Sequence, residues 1–445
     1  MTHTLIYPHT SRHNAAGHLE IGGCDVVELA GRFGTPLFIY DEQTLRDQCR
    51  AYVDAFRSRL ADTEVVYASK AFCCRAMCEL VAEEGLSLDV ASGGELFTAR
   101  LAGVPPERIY FHGNNKSPAE IEAGLEAGIG CFVVDSFHEI ELLAAAARRR
   151  GVRQRVLVRL TPGVRPSTHS YVQTGQADSK FGFGLTEGLA DEAVRRLLAA
   201  DDLELVGVHA HIGSQIFDLS SHRREVEVLF AAVAEWRREH GFDCRLVNFG
   251  GGLGIRYTEQ DRPSSIAEFA EAVVSSARAS AERYGLPLPR LLVEPGRSIA
   301  GKAAITLYRV GTIKRVPDGR TYVAVDGGMS DNIRPMLYGS RYEAMIGNRA
   351  DVPADFETTV VGKHCESGDV LVRDVSIAPP QLGDVLVTPG TGAYGYAMAN
   401  NYNGQPRPAV VMVAGGAARV IIARETWDDV LRLQQPLAGG PVAQG

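Results

Sequence analysis

Glu64-Val65-Val66-Tyr67-Ala68-Ser69-Lys70 is the stretch that decides the fold: a short β-branched apolar run that stops at a hydroxyl and an amine. A bounded apolar run of this length reads as a strand buried on both faces. Similar runs follow at Leu86–Val90, Arg108–Phe111, Gly130–Val134, Arg155–Leu160, Leu205–Ala210, Arg245–Phe249 and Arg290–Glu294. Amphipathic stretches lie between them, among them Arg75–Glu84, Glu95–Ala102, Ser136–Arg149, Asp191–Ala200, Arg223–Arg238 and Ile266–Tyr284. Eight strand runs alternating with helical patterns predict an α/β fold, a closed (β/α)8 barrel of TIM type.

Beyond about 303 the pattern changes. Apolar and polar residues alternate in Ile305–Val316, Tyr322–Val325, Thr358–Gly362, Val370–Val372, Asp384–Thr388, Ala409–Val413 and Arg419–Ile422, with turn residues between. This predicts a C-terminal antiparallel β domain, to which the opening segment adds a strand. The expected organisation is 1–38 joining the β domain, 39–302 as the barrel and 303–445 as the β domain.

The bulk properties narrow the function. The net charge of −8 argues against a nucleic-acid partner, which would require a basic face. No apolar run reaches the ~18 residues of a membrane span, and the start lacks a basic region followed by an apolar one, so neither a membrane partner nor a secretory signal is expected. Eight cysteines are scattered without the spacing of a disulfide framework, which points to a reducing, cytoplasmic setting. Cys73, Cys74 and Cys78 cluster, but not at zinc-site spacing, and read as small buried residues. Only six lysines stand against forty arginines. A mechanism that needs a neutral amine therefore has few candidates, because arginine does not deprotonate.

Enzymes of this fold place their chemistry at the C-terminal ends of the strands. Here those ends carry Ser69-Lys70, Asp89, His112 to Lys116, Asp135, His209 to Ser214, Gly250 to Gly254 and Glu294 to Arg297. The run Gly250-Gly251-Gly252 with Gly254 leaves backbone N–H groups open to an anion, and the loops after strands seven and eight are the usual phosphate site of this fold. A flexible turn is the bland alternative; the position after strand seven favours phosphate, with the Ser214 hydroxyl as a further ligand. Lys70 closes an apolar strand, where a pocket could desolvate its ammonium and suit it to Schiff-base chemistry. His209 and His211 share a strand face and are open to reading as a metal pair. A flat imidazole against a cofactor ring suits His211 better, and His209 reads as a hydrogen-bonded core residue. Glu294 could face a pyridine nitrogen and keep it protonated, which makes the ring an electron sink. Together the amine, phosphate loop, imidazole and carboxylate point to pyridoxal 5′-phosphate and to no metal.

The motifs carrying these residues resemble those of the fold-type III pyridoxal-phosphate-dependent decarboxylases, and within them the branch acting on meso-diaminopimelate. The matching segments are Tyr67 to Phe72, His209 to Gln215, Asn248 to Gly254, Glu294 to Ser298, Asp326 to Pro335, Gly362 to Asp369 and Gly392 to Gly395. The resemblance runs from about Pro36 to Val413. It implies a barrel plus a β domain in a head-to-tail homodimer whose active sites are shared across the interface. It implies that Lys70 carries the cofactor, His211 stacks on its ring and Glu294 pairs with its nitrogen. Asp89, Ser214, Gly251, Gly252, Gly296, Arg297 and Tyr394 complete the cofactor-binding set. Arg297, Arg334, Tyr338, Glu366 and Tyr394 would bind the substrate, and Cys365 would donate a proton, with Cys365 and Glu366 reaching in from the partner subunit. The roles of Cys365 and Glu366 rest on likeness alone.

Four rival readings remain at this point. One is a decarboxylase of another basic amino acid such as ornithine or arginine; Arg334 and the loop 167–181 favour a substrate with a distal charged stereocentre instead. A racemase on a similar barrel would leave Cys365-Glu366 without purpose. A cofactor carrier would leave the β domain unexplained. A metal-dependent hydrolase using His209 and His211 would lose activity on metal removal.

Overall fold

The computed structural model describes residues 5–164, 180–186, 188–317 and 319–437. The chain divides into two compact units, 44–301 and the combination of 1–43 with 302–445.

The first unit is a closed parallel barrel. Its strands are Thr63–Ala68, Ser87–Val90, Ile109–Phe111, Cys131–Val134, Gln154–Thr161, Leu203–Ala210, Leu246–Asn248 and Arg290–Val293. Each pairs in parallel with the next, and Leu291–Val293 on Thr63–Val65 closes the ring. A short additional strand, Phe183–Gly184, lies beside the fifth. The strands form because the chain is apolar on both faces: Cys131–Val134 and Ser87–Val90 are buried throughout. The intervening helices start on residues suited to the task. Ser117 caps Pro118–Ala127 and Ser265 caps Ile266–Tyr284, each exchanging hydrogen bonds with a glutamate three residues on. Helix Ser220–His240 ends on Gly241 at φ 67°, which an L side chain would resist.

Inside the barrel, Val66, Tyr110, Cys131, Val133, Leu157, Val206, Leu246 and Leu292 form one apolar cluster. Strand side chains alternate, so the residues two positions further along share that interior direction. Those positions include His112, Asp135, Arg159, Asn248 and Glu294, all buried. Strand geometry thus lays a polar layer directly on an apolar plug, at the C-terminal end of the barrel.

The second unit corrects the antiparallel expectation: its sheet is mixed. Strand Ala304–Arg315 pairs antiparallel with Leu37–Asp41, Thr321–Val325 and Val385–Pro389. Two pairings are parallel, Thr321–Val325 with Phe356–Val361 and Leu37–Asp41 with Ala409–Ala414. Parallel neighbours need a long crossover rather than a hairpin. The first pair has one through 326–355, and the second joins strands from opposite ends of the chain. Leu37, Ile39, Ile305, Leu307, Val385, Val387, Val411 and Val413, at alternate positions, build its core, against which helix Val26–Phe33 lays Val26, Leu29 and Ala30. The boundary expected after residue 38 falls inside strand Leu37–Asp41, which belongs wholly to this unit. Of the loop 167–181, only Lys180 and Phe181 are among the described residues.

Candidate active site

Glu294 is the centre of the polar layer. Its Oε1 accepts a hydrogen bond from Asn248 Nδ2 at 2.7 Å, and its Oε2 pairs with His209 Nε2 at 3.1 Å. His112 Nε2 lies 2.9 Å from Oε1, and the two imidazoles meet edge to face at 4.8 Å. Burial pushes His112 down, and His209 to about 4, against the opposing pull of the Glu294 carboxylate. Burial alone would raise the Glu294 carboxyl, but the two imidazoles outweigh it and hold the group well below the ordinary carboxylate range. The barrel therefore presents a buried, ionised carboxylate aimed by three neighbours.

Asp89 is also buried and accepts the Ser69 N–H at 3.1 Å. Burial first, then the charge of Glu294, push its carboxyl well up, and the Lys70 ammonium only partly opposes this. Lys70 itself follows the first strand in a short 3-10 turn, Ser69–Ala71. Two residues past the strand, it is exposed in the single chain. Among the other lysines, Lys116 is buried and its ammonium is fully occupied by Glu139 and the carbonyls of Gly113 and Val133.

His211 is half-buried, and its Nδ1 accepts the Gly251 N–H at 3.2 Å. That bond requires a neutral ring, and burial, reinforced by Lys70 and Arg159, pushes His211 well down. His209 and His211 thus diverge: among the described residues, His209 falls in a group with metal-ligand spacing, His112, His209 and Glu294, and His211 does not.

The glycine run is required by close approach. A Cβ on Gly250 would stand 2.7 Å from the Ala210 carbonyl oxygen, and one on Gly252 (φ 119°) 2.7 Å from that of Gly213. Gly296 is likewise closed to a side chain by Ala68, with Cβ and oxygen each 2.9 Å away. Beside this cradle, buried Arg297 donates to Ser214 Oγ from Nε at 3.1 Å and Nη2 at 2.9 Å, and Nη1 reaches Tyr257. A backbone cradle, a hydroxyl and a buried guanidinium suit an anion, and Glu294 suits a basic ring nitrogen. A phosphorylated aromatic aldehyde held on Lys70 fits this donor set.

In the second unit, Arg334 is buried, opens the one-turn helix Arg334–Tyr338 and bonds the Tyr342 hydroxyl. Tyr338 ends that turn, half-buried. Tyr394 holds φ 59°, a strained value for an aromatic residue and one that marks functional positions. Cys365 and Glu366 are exposed on a loop that Asp369 fastens: its carboxylate accepts the N–H groups of Met329 at 2.7 Å and His364 at 3.0 Å and pairs with His364 Nδ1 at 2.8 Å. Cys365 is the one exposed cysteine of the eight; the others are buried or half-buried. Its N–H is held by Asn403 Oδ1 at 3.0 Å.

His112, Asn248 and Tyr257 were given no role by sequence reasoning. Alternation along strands three and seven was the signal available for His112 and Asn248. Tyr257 carries none that spacing reveals.

Residues 43–301 match the family model of the pyridoxal-dependent decarboxylases, pyridoxal binding domain. The chain is 50% identical over 431 residues to the diaminopimelate decarboxylase of Bacillus subtilis (strain 168), covering 97% of this chain and 98% of that one. It is 46% identical over 440 residues to that of Mycobacterium tuberculosis (strain H37Rv), covering 96% and 97%. Among solved structures, the diaminopimelate decarboxylase of M. jannaschii in complex with L-lysine matches with a TM-score of 0.90 at 35% identity, covering 96% of this chain and 98% of that one. A lysine/ornithine decarboxylase from Vibrio vulnificus shares the fold at 22% identity and a TM-score of 0.72, covering 87% and 97%.

Proposed function

The chain belongs to the pyridoxal-dependent decarboxylase family, and from that premise we propose that it converts meso-diaminopimelate to L-lysine and carbon dioxide. The observation that carries the reading is the buried Glu294 carboxylate, kept ionised at the mouth of a barrel whose first strand leads into Lys70. The relatives of nearly half-identical sequence support the substrate over ornithine or arginine.

When bound, pyridoxal phosphate supplies an electron-poor ring that accepts the electron pair of the broken carbon–carbon bond. The residues divide the remaining work. Lys70 would hold the cofactor through its side-chain amine. Ser214, the Gly250–Gly252 backbone, Gly296 and Arg297 hold the phosphate; the hydrogen bonds from Arg297 to Ser214 support this role for Arg297 over contact with substrate. Glu294 keeps the ring nitrogen protonated, and Asn248, His209 and His112 aim it. His211, fixed by the Gly251 N–H, flanks the ring. Asp89 orders the Lys70 turn through Ser69. Arg334 and Tyr338 bind a substrate carboxylate, which a planar guanidinium matches with two hydrogen bonds. Glu366 pairs with the distal ammonium, Cys365 returns a proton to the carbon that lost its carboxylate, and Tyr394 borders both.

We place Cys365 and Glu366 at the active site of a partner copy in a homodimer. Their exposure on a firmly anchored loop supports this. Mixing Lys70→Ala with Cys365→Ala chains under subunit exchange should recover activity that neither has alone; no recovery contradicts the shared site. The eight free cysteines support a reducing, cytoplasmic location and a biosynthetic role in lysine supply. The substrate is tested by offering meso-diaminopimelate, ornithine and arginine separately and measuring carbon dioxide. Release from the first alone is expected; preferential release from either of the others overturns the assignment.

A further inference from the structure

Helix Ser220–His240 buries two titratable side chains that the chemistry above does not use. His222 and Glu225 are both 0% exposed, and His222 Nδ1 lies 3.5 Å from Glu225 Oε2. Both ring nitrogens and both carboxyl oxygens lack a hydrogen-bond partner among the described residues. Such burial costs stability, and folded proteins retain few groups of this kind. Burial pushes His222 down to about 4 and Glu225 well up, which favours the neutral form of each. Each then keeps a donor and an acceptor uncommitted.

Their position gives the pair a purpose. A Cβ on Gly252 would stand 3.3 Å from His222 Cε1, the ring carbon between the two nitrogens, so the polar edge of the imidazole faces the glycine loop. Another part of the ring packs on Phe269, centroids 4.9 Å apart. The loop is strapped to the segment before this helix: the Ile216 N–H donates to the Gly252 carbonyl at 2.9 Å, and the Gly254 N–H to that of Ile216 at 3.0 Å. His222 therefore sits under the backbone assigned to the anion, with the Glu225 carboxyl 3.5 Å behind it.

We infer that His222 and Glu225 are positioning residues, which support the glycine loop from the barrel wall and set how tightly it holds the cofactor's phosphate. This rests on the pyridoxal-phosphate reading above. The pair is kept at a cost in stability because an apolar wall would not hold the loop in register.

The test compares wild type, His222→Phe/Glu225→Leu, Glu225→Leu and Glu225→Gln as full-length apoproteins. Melting temperature, pyridoxal-phosphate dissociation constant and the 31P resonance of the bound phosphate are measured. The double variant should melt higher, because apolar residues replace buried unpartnered ones, yet bind the cofactor about tenfold or more weakly, a loss of ~1.4 kcal/mol, with a displaced 31P signal. Glu225→Gln, an isosteric neutral donor, should restore affinity and signal; Glu225→Leu alone should not, which keeps the test decisive if the double variant fails to fold. Unchanged affinity and 31P shift in the Leu-bearing variants overturn the inference alone. Wild type that takes up no pyridoxal phosphate overturns the cofactor reading beneath it.

Discussion

Lys116→Met probes how the barrel disposes of a second lysine near its mouth. The Lys116 ammonium donates to Glu139 Oε1 at 2.7 Å, the Val133 carbonyl at 2.7 Å and the Gly113 carbonyl at 2.9 Å. All three of its protons are spent, and the two side chains are 1% and 4% exposed. Burial pushes the lysine down and the glutamate up, and each is the main compensation for the other. Methionine keeps the bulk but strands the Glu139 carboxylate, a change that costs about 3–5 kcal/mol for a buried pair. In a unit of this size that lowers the melting temperature by ~10 °C. Lys116→Met/Glu139→Leu should recover most of the loss, because neither charge is then left alone. Calorimetry of the three proteins reads the stability, and peptide mapping after borohydride reduction reads the cofactor's attachment, which should stay on Lys70. A loss below ~1 kcal/mol would refute the energetic reasoning; a folded variant that no longer fixes cofactor would refute the division of labour between the lysines.

Glu425 gives a pH-dependent case. Burial opposes its ionisation, but Arg407 outweighs it, with Asn401 assisting, and the carboxyl is held at about 2. A depressed folded value means the stabilisation is fully present above the ordinary glutamate value of ~4.3 and disappears as pH falls through the folded one. Glu425→Gln should thus cost ~1–2 kcal/mol at pH 7 and almost nothing in acid, by urea titration at several pH values; a pH-independent difference contradicts it. Gly252→Ala, which forces a side chain to φ 119° against the Gly213 carbonyl, should weaken cofactor binding about tenfold or more, read from absorbance titration. Cys365→Ala should remain yellow with kcat lowered by ~10²–10⁴, the usual worth of a positioned proton donor; full turnover removes its role.

The barrel was legible because its strands are apolar on both faces, so each of the eight appears as a bounded run within two residues of its observed limits. The polar layer was legible by the same arithmetic: two residues beyond Leu292 is Glu294, and two beyond Leu246 is Asn248. What alternation cannot reveal is a partner on another strand. Nothing near His112 in sequence shows that it will stand beside Glu294. The β unit failed differently. Strands pairing parallel and antiparallel share one alternation, so the direction of Leu37–Asp41 beside Ala409–Ala414 is not encoded locally. Lys70 is legible from its place after a strand, whereas the short turn Ser69–Ala71 that carries it is not written in residue types. Cys365 and Glu366 carry no periodicity, and only the resemblance singled them out.

The covalent seat of the cofactor is tested most directly by reducing the pyridoxal-phosphate-loaded protein with borohydride, digesting it and locating the modified residue by mass spectrometry. The account predicts a single pyridoxyl adduct, on the peptide containing Lys70. An adduct on Lys116 or any other lysine, or none on protein that has visibly taken up the cofactor, would contradict it.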